Sequence, residues 1–315
     1  MQTRKIGVLD VSVVGLGCNN FGMMIDAERT RAVVGAAIDA GINYFDTAES
    51  YGGGQSEEFL GAALAGRRAD VLIATKWGHT QGLAEDERNG DPARIRRSLE
   101  ASLTRLGTEY VDHYQLHRPD PNTPQEDTLG ALEELRTEGK IREIGCTYFS
   151  ADELTDAERA GGAIGVPSYP SVQNQYSLLT RDPESDGVLD VCERSGIAFV
   201  PFFPLESGLL TGKYRLGEDL PSGTRLAAWG ERASRFIDDD RLRTVAALTA
   251  LAESRGRSML ELAISWLVSN PLVATVIAGA TKPEQVAANV AAAGWNLTPE
   301  ERAGVDAITG NGPGT

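Results

Sequence analysis

The sequence predicts an α/β fold, a (β/α)8 barrel formed as one domain over residues 1–315, and three observations carry that reading. Apolar strand-like runs alternate with amphipathic helical stretches eight times, at intervals of about 30 residues. Cap residues punctuate most of the helical stretches. No composition break marks a linker. Alternation implies a parallel sheet, and eight units favour closure into a barrel over an open doubly wound sheet. The open sheet also lacks its phosphate-binding fingerprint, because Gly15-Leu16-Gly17-Cys18-Asn19 has neither a third glycine nor a helix directly after it.

After a polar opening, residues 11–16 form a β-branched apolar run that reads as the first strand. Asp26 caps a helix whose Val33, Val34, Ala37 and Ile38 recur at helical spacing and which Gly41 ends. The second strand covers about 43–46 and the next helix about 55–65. The third strand, 71–75, is an uninterrupted apolar run of the kind buried on both faces, and it delivers Lys76. Asp91 as cap, Pro92 in the first turn, the stripe Ile95, Leu99, Leu103 and Leu106, and Gly107 past the end define the following helix. The fourth strand, 110–116, delivers His117.

Thr123-Pro124-Gln125-Glu126 reads as a capping box for a helix carrying Leu129, Leu132 and Leu135 to Gly139. The fifth strand, about 141–146, precedes Ser150-Ala151-Asp152-Glu153, which opens a helix by the same logic. The sixth strand covers 172–174, and Asp182-Pro183 starts a helix with Val188, Val191 and Cys192 inward. The seventh strand covers about 197–202, and a long loop with glycine and proline runs from about 205 to 234. Helices at about 240–254 and 259–269, an eighth strand at 274–278, a helix at 283–293 and another capped at Thr298 complete the pattern, before a short tail at 310–315.

A formal charge of −15, from 45 acidic and 30 basic side chains, repels phosphate backbones and anionic lipid, which argues against a nucleic-acid or membrane role. Cys18, Cys146 and Cys192 are far apart without a CxxC pair, which fits a reduced compartment. His79, His113 and His117 fall in no metal-binding spacing, so no metal is expected. Residues 1–10 lack the apolar run of a signal peptide, and no window approaches the ~18 apolar residues of a membrane span. A cytoplasmic protein is the expectation.

In a barrel of this kind the C-terminal strand ends carry the chemistry. Asp46, Lys76 and His117 arrive there after strands two, three and four, with Tyr51 in the glycine-rich loop five residues past Asp46. Each alone has a bland reading as a cap, a solvated charge, a loop brace or a surface ring. Together they suggest acid catalysis. Bringing a tyrosine from a pKa of about 10 to near 7 takes ~4 kcal/mol. A lysine ammonium at ~4 Å supplies about that at an effective dielectric near 20. Asp46 keeps Lys76 charged and aimed, and His117 orients a carbonyl by hydrogen bonding. The reaction class that fits is proton donation to a carbonyl as hydride arrives from a cofactor.

Seven stretches in order carry a resemblance: DTAESYGGGQSEEFLG from Asp46, IATKWG from Ile73, YVDHYQLHRPDP from Tyr110, GKIREIGCTYFS from Gly139, SVQNQYSLL from Ser171, GLLTGKY from Gly208 and VIAGATKPEQVAAN from Val276. The chain resembles the aldo-keto reductases along its whole length. The resemblance implies reversible reduction of aldehydes or ketones, with Tyr51 as general acid, Lys76 and Asp46 tuning it and His117 positioning the carbonyl. It implies a nicotinamide nucleotide across the barrel mouth. Gln173 and Thr147 would meet the nicotinamide end, Phe202 would stack on its ring, and Leu205, Gly208, Leu210 and Lys213 would cover the pyrophosphate. Gly279, Thr281, Lys282, Gln285 and Asn289 would hold the adenosine end, at a helix start suited to phosphate.

Lys282 stands where relatives often carry a basic residue for a 2′-phosphate, which favours NADP(H) over NAD(H). Two features depart from the family pattern. Tyr148 stands where relatives commonly have asparagine, whose amide it cannot reproduce, and the tail is short. Pocket walls would come from loops carrying Asn20, Phe21, Trp77, Phe203 and Trp229, which suits a small hydrophobic or aromatic carbonyl or alcohol. The alternative is a nucleotide-sensing or auxiliary binding protein with little turnover, as in the channel β subunits that resemble this family. A hydrolase with paired carboxylates lacks a second acid.

Overall fold

The computed structural model of the chain describes residues 1–79, 88–224, 226–227, 230, 233 and 237–310. A short antiparallel hairpin, β1 (Thr3–Ile6) and β2 (Leu9–Ser12), precedes eight parallel strands. These are β3 (Val14–Gly17), β4 (Tyr44–Asp46), β5 (Leu72–Trp77), β6 (Val111–Leu116), β7 (Ile141–Thr147), β8 (Ser171–Gln175), β9 (Ala198–Phe202) and β10 (Val276–Gly279). Their spatial order is β10-β3-β4-β5-β6-β7-β8-β9. The seam closes just before β10: Phe199 N–H donates to Leu272 O at 2.8 Å and Ala274 N–H to Phe199 O at 2.9 Å. The fold is the (β/α)8 barrel that the alternation predicts.

Helices α1 (Ala27–Asp39), α2 (Gln55–Ala63), α3 (Pro92–Leu106), α4 (Gln125–Thr137), α5 (Ala151–Ile164) and α6 (Val188–Ser195) lie between the strands, and Asp239–Glu253, Met259–Val268, Pro283–Ala291 and Pro299–Thr309 complete the set. Most caps form as read. Asp91 accepts from the Ala93 and Arg94 N–H groups, and Ser150 closes a capping box with Glu153. Val188, Val191 and Cys192 are buried.

Three expectations are corrected. Residues 11–16 are not one strand: Ser12 donates its hydroxyl to Val14 O at 2.7 Å, and this local bond ends β2 before β3 begins. Thr123 caps nothing, because its hydroxyl donates to Asp120 at 2.8 Å and the first helical turn follows Pro124 without a side-chain cap. Asp182-Pro183 makes only a single 3-10 turn, and α6 starts after Gly187.

The hairpin gives the polar opening a purpose. Ile6, Leu9 and Val11 cluster with Tyr44, Ala74, Val200 and Ala274, which point into the barrel, so the hairpin plugs the end opposite the site. Above the plug, alternation along the strands stacks polar layers. The Tyr44 hydroxyl and Ser171 Oγ flank His113 at 2.8 and 3.0 Å. Gly145 is required beside this layer, since a Cβ there would sit 2.4 Å from His113 Nε2. One layer higher come Asp46, Gln115 and Gln173.

Candidate active site

Asp46 ends β4 and Lys76 lies near the end of β5, both buried among barrel side chains. The Lys76 ammonium has three donors and finds three acceptors: Asp46 Oδ1 at 2.5 Å, Thr47 O at 2.9 Å and the Tyr51 hydroxyl at 3.4 Å. The other Asp46 oxygen accepts from Gln115 and Gln173, at 3.1 and 3.0 Å. Burial works against the ammonium, but Asp46 and Tyr51 outweigh it and hold Lys76 above its ordinary pKa. The cation is therefore permanent and aimed at the phenol.

Tyr51 reaches that position because its turn, Tyr51–Gly54, takes left-handed backbone at Gly52 (φ 59°) and Gly53 (φ 66°), which glycine adopts without strain. Its ring meets the edge of His117 at 5.8 Å. Burial pushes the Tyr51 phenol above its ordinary pKa, and Lys76 pulls it down without cancelling that push. This corrects the balance drawn from Lys76 alone, which left out the cost of burying a phenolate.

His117 follows β6, and its backbone N–H donates to Trp77 O at 2.7 Å. Burial, with Lys76, His79 and Arg118 nearby, lowers its pKa to about 2, so the imidazole is neutral at any working pH. Its Nδ1 is buried and has no hydrogen-bond partner among the described residues. An orphaned polar atom beside a phenol and an ammonium is the kind of feature a bound polar group satisfies.

These residues open onto a cavity of 820 Å³ that continues to Lys282 and Asn289. Gln173, Phe202, Leu205, Gly208, Lys213, Gly279, Thr281, Lys282, Gln285, Asn289 and Asn20 line it with the catalytic candidates. Lys76 sits just beneath its wall. Thr147 does not line it, because its hydroxyl donates to His117 O and braces that residue from behind. Leu210 is fully buried in the core. Phe21 and Trp77 are also core side chains, with Trp77 stacked on Tyr114 at 4.4 Å, so neither walls the pocket. Trp229, residues 311–315 and part of the long loop lie outside the described residues.

The stretch after β9 is locked by a buried carboxylate. Glu206 accepts from Ser177, Thr180 and Gln175 at 2.7, 2.8 and 3.2 Å, and Arg241 reaches it at 3.3 Å. This network holds Glu206 and Ser207 in left-handed backbone, φ 45° and 56°, and so fixes Gly208 at the cavity edge.

The sequence profile of the aldo/keto reductase family matches residues 13–309. The chain belongs to the aldo-keto reductase family. A rice (Oryza sativa subsp. japonica) protein named a probable voltage-gated potassium channel subunit beta is 35% identical over 325 residues, covering 99% of this chain and 98% of the relative. A protein of Escherichia coli O157:H7 named L-glyceraldehyde 3-phosphate reductase is 34% identical over 321 residues, covering 97% and 92%. The holo form of an aldo-keto reductase from Bacillus halodurans superposes with a TM-score of 0.79 at 32% identity, covering 98% and 96%.

Aldo-keto reductases are oxidoreductases of carbonyl groups that use nicotinamide cofactors, and this chain is an oxidoreductase of that kind. Its cleft fits such a group: one cavity is lined from His117 to Lys282 and Asn289, a loop and a helix start contribute to its wall, and His117 brings to it a buried nitrogen with no hydrogen-bond partner among the described residues. Among the described residues no helix is long and apolar enough to cross a membrane, and no cluster of His, Cys, Asp and Glu could hold a metal.

The sequence reading missed several residues of this aldo-keto reductase site. Gln115 was within reach, since period-2 alternation along β6 turns it inward with His113. Arg118, His79, Met23 and Met24 line the cavity from loops, where no periodicity points to them.

Proposed function

We propose that the protein reduces aldehydes or ketones with NADPH, and catalyses the reverse oxidation, with Tyr51 as the proton donor. The single observation that supports this best is Lys76, which joins buried Asp46 to the Tyr51 hydroxyl inside the cleft. The bound cofactor supplies the hydride. Tyr51 keeps its proton at neutral pH and gives it to the carbonyl oxygen. Lys76 stabilises the phenolate left behind, and Asp46 fixes Lys76 against the phenol. Neutral His117 orients the carbonyl with its one N–H.

For the cofactor, Phe202 would face the nicotinamide. Gln173 has its amide nitrogen committed to Asp46, which leaves Oε1 for the carboxamide. Thr147 contributes by holding His117. Ser207, Gly208 and Lys213 suit the pyrophosphate. Lys282, at the cavity end and the start of Pro283–Ala291, suits a 2′-phosphate, and this supports NADP(H) over NAD(H). One barrel domain acting on small molecules in the cytoplasm completes the reading; its three described cysteines are free and buried.

The rice relative's name keeps a second reading, a nucleotide-binding auxiliary subunit with little turnover. NADPH consumption with an aromatic aldehyde, alongside nucleotide binding, separates the two in wild type and Tyr51→Phe. Turnover lost in the variant with binding intact supports the reductase. Tight binding without turnover across a carbonyl panel supports the subunit. Lys282→Ala tests the cofactor: unequal loss of NADPH and NADH affinity is expected, and no change in either removes the preference.

A further inference from the structure

Among the described residues, the lining of the cleft carries more positive than negative side chains, in a protein whose overall balance is acidic. Against 45 acidic and 30 basic side chains overall, the described residues that line the cavity include Arg118, Lys213 and Lys282 and one acid, Asp46, which Lys76 already neutralises. Lys213 and Lys282 are accounted for by the nucleotide phosphates of the proposed cofactor. Arg118 is not, since it follows His117 directly and stands at the carbonyl end.

The surroundings of Arg118 fix its face and leave its edge open. Its guanidinium carbon lies 3.4 Å from the centre of the Tyr148 ring. That ring in turn lies 4.8 Å from Phe202, and Tyr148 is pinned in left-handed backbone, φ 61°, with its N–H on Gln173 O at 3.1 Å. Stacking engages the flat face of a guanidinium and none of its five in-plane donors. Arg118 has no ion-pair partner among the described residues. A half-buried guanidinium clamped flat, whose donor edge meets no hydrogen-bond or ion-pair partner among the described residues, is organised for bidentate binding of an oxyanion. Its charge is felt nearby, as one of the causes that lower the pKa of both His117 and His79.

We propose that the preferred substrates are carbonyl compounds carrying an oxyanion, a carboxylate or a phosphate monoester, which Arg118 grips from its platform on Tyr148. The asparagine that relatives commonly carry at Tyr148 is thus exchanged for a stacking surface that serves the substrate. The inference rests on the carbonyl-reductase reading and is tested so that the two can fail separately.

The test uses matched pairs: 4-carboxybenzaldehyde against its methyl ester, and glyceraldehyde 3-phosphate against glyceraldehyde. The readout is the ratio of kcat/KM, anionic over neutral, in wild type, Arg118→Met and Arg118→Lys. A ratio above one in at least one pair is expected. It should fall about 10- to 100-fold in Arg118→Met, with partial recovery in Arg118→Lys, which keeps the charge and loses the fork. The pair that responds tells carboxylate from phosphate. A ratio that Arg118→Met leaves unchanged in both pairs overturns the inference while turnover keeps the reductase reading. Calorimetric titration of the corresponding alcohols reads the same preference without turnover. Anion-selective binding lost in Arg118→Met upholds the inference even if no aldehyde is reduced, and binding indifferent to charge overturns it.

Discussion

The Lys76 ammonium lies 2.5 Å from Asp46 Oδ1 in a part of the barrel that excludes solvent from both side chains. A buried pair of this kind repays its desolvation only while both members are present. Lys76→Met should therefore cost about 3–5 kcal/mol, because it strands the Asp46 carboxylate. The double variant Asp46→Asn/Lys76→Met should recover most of that loss while remaining inactive as a reductase. Denaturant unfolding of the single and double variants checks this, and a double variant no more stable than Lys76→Met would refute it.

Tyr51 ionisation gives a second check. Burial outweighs Lys76, so the cofactor-free phenol keeps its proton past its ordinary range. At pH 9, wild type and Tyr51→Phe should show equal tyrosinate absorbance. A tyrosinate signal present in wild type and missing from the variant would mean that Lys76 dominates after all.

Two buried histidines make stability depend on pH. His113 is lowered to about 4 and His117 to about 2, each mainly by burial. Both groups are neutral when folded and charge when unfolded, so their contribution is complete above the unfolded pKa near 6.5 and is lost as pH falls below it. At pH 5 each should cost ~2 kcal/mol relative to pH 7, with uptake of roughly two protons on unfolding. The pH dependence of urea unfolding measures this, and a flat profile from pH 7 to 5 would contradict it.

Glu206 is expected to act through the loop it holds. Glu206→Gln keeps the size but gives up the charge that Ser177, Thr180, Gln175 and Arg241 share. Relaxation of the strained backbone at Ser207 should weaken NADPH binding about 10-fold, or ~1.4 kcal/mol, and leave kcat at saturation nearly unchanged. Fluorescence titration and saturation kinetics separate the two terms. Unaltered affinity would show that the loop is held by other means.

Much of this architecture was legible because it repeats. Strand-helix alternation, caps such as Asp91 and Ser150, and apolar runs such as β5 report local physics that the barrel does not override. Legibility failed where a side chain chose between competing partners. Ser12 split an apolar run, and Thr123 preferred Asp120 to the helix. In the site, the residues at strand ends converge because strands set their positions, as with Asp46, Lys76 and His117. Phe21 and Trp77 were placed at the wall by their proximity in sequence, yet large apolar rings beside a strand end have a core to enter. Arg118 and Tyr148 face each other only in three dimensions, and neither residue type alone announces the pairing.

The plug of the barrel bears on how the chain is made. Arg4 donates to the carbonyls of Val268, Asn270 and Val273, so the hairpin is tied to residues up to 269 positions further along. During translation those partners do not yet exist when the hairpin leaves the ribosome. Ile6, Leu9 and Val11 meet Tyr44 and Ala74 early in the chain, but their full cluster also needs Val200, Ala274 and Ile277, from its last third. Completing the plug is thus a long-range event, closed only when the two ends of the chain meet. A chain ending before residue 268 lacks all three carbonyls that hold Arg4 and the part of the cluster contributed by Ala274 and Ile277, so it leaves the plug unanchored and incompletely covered.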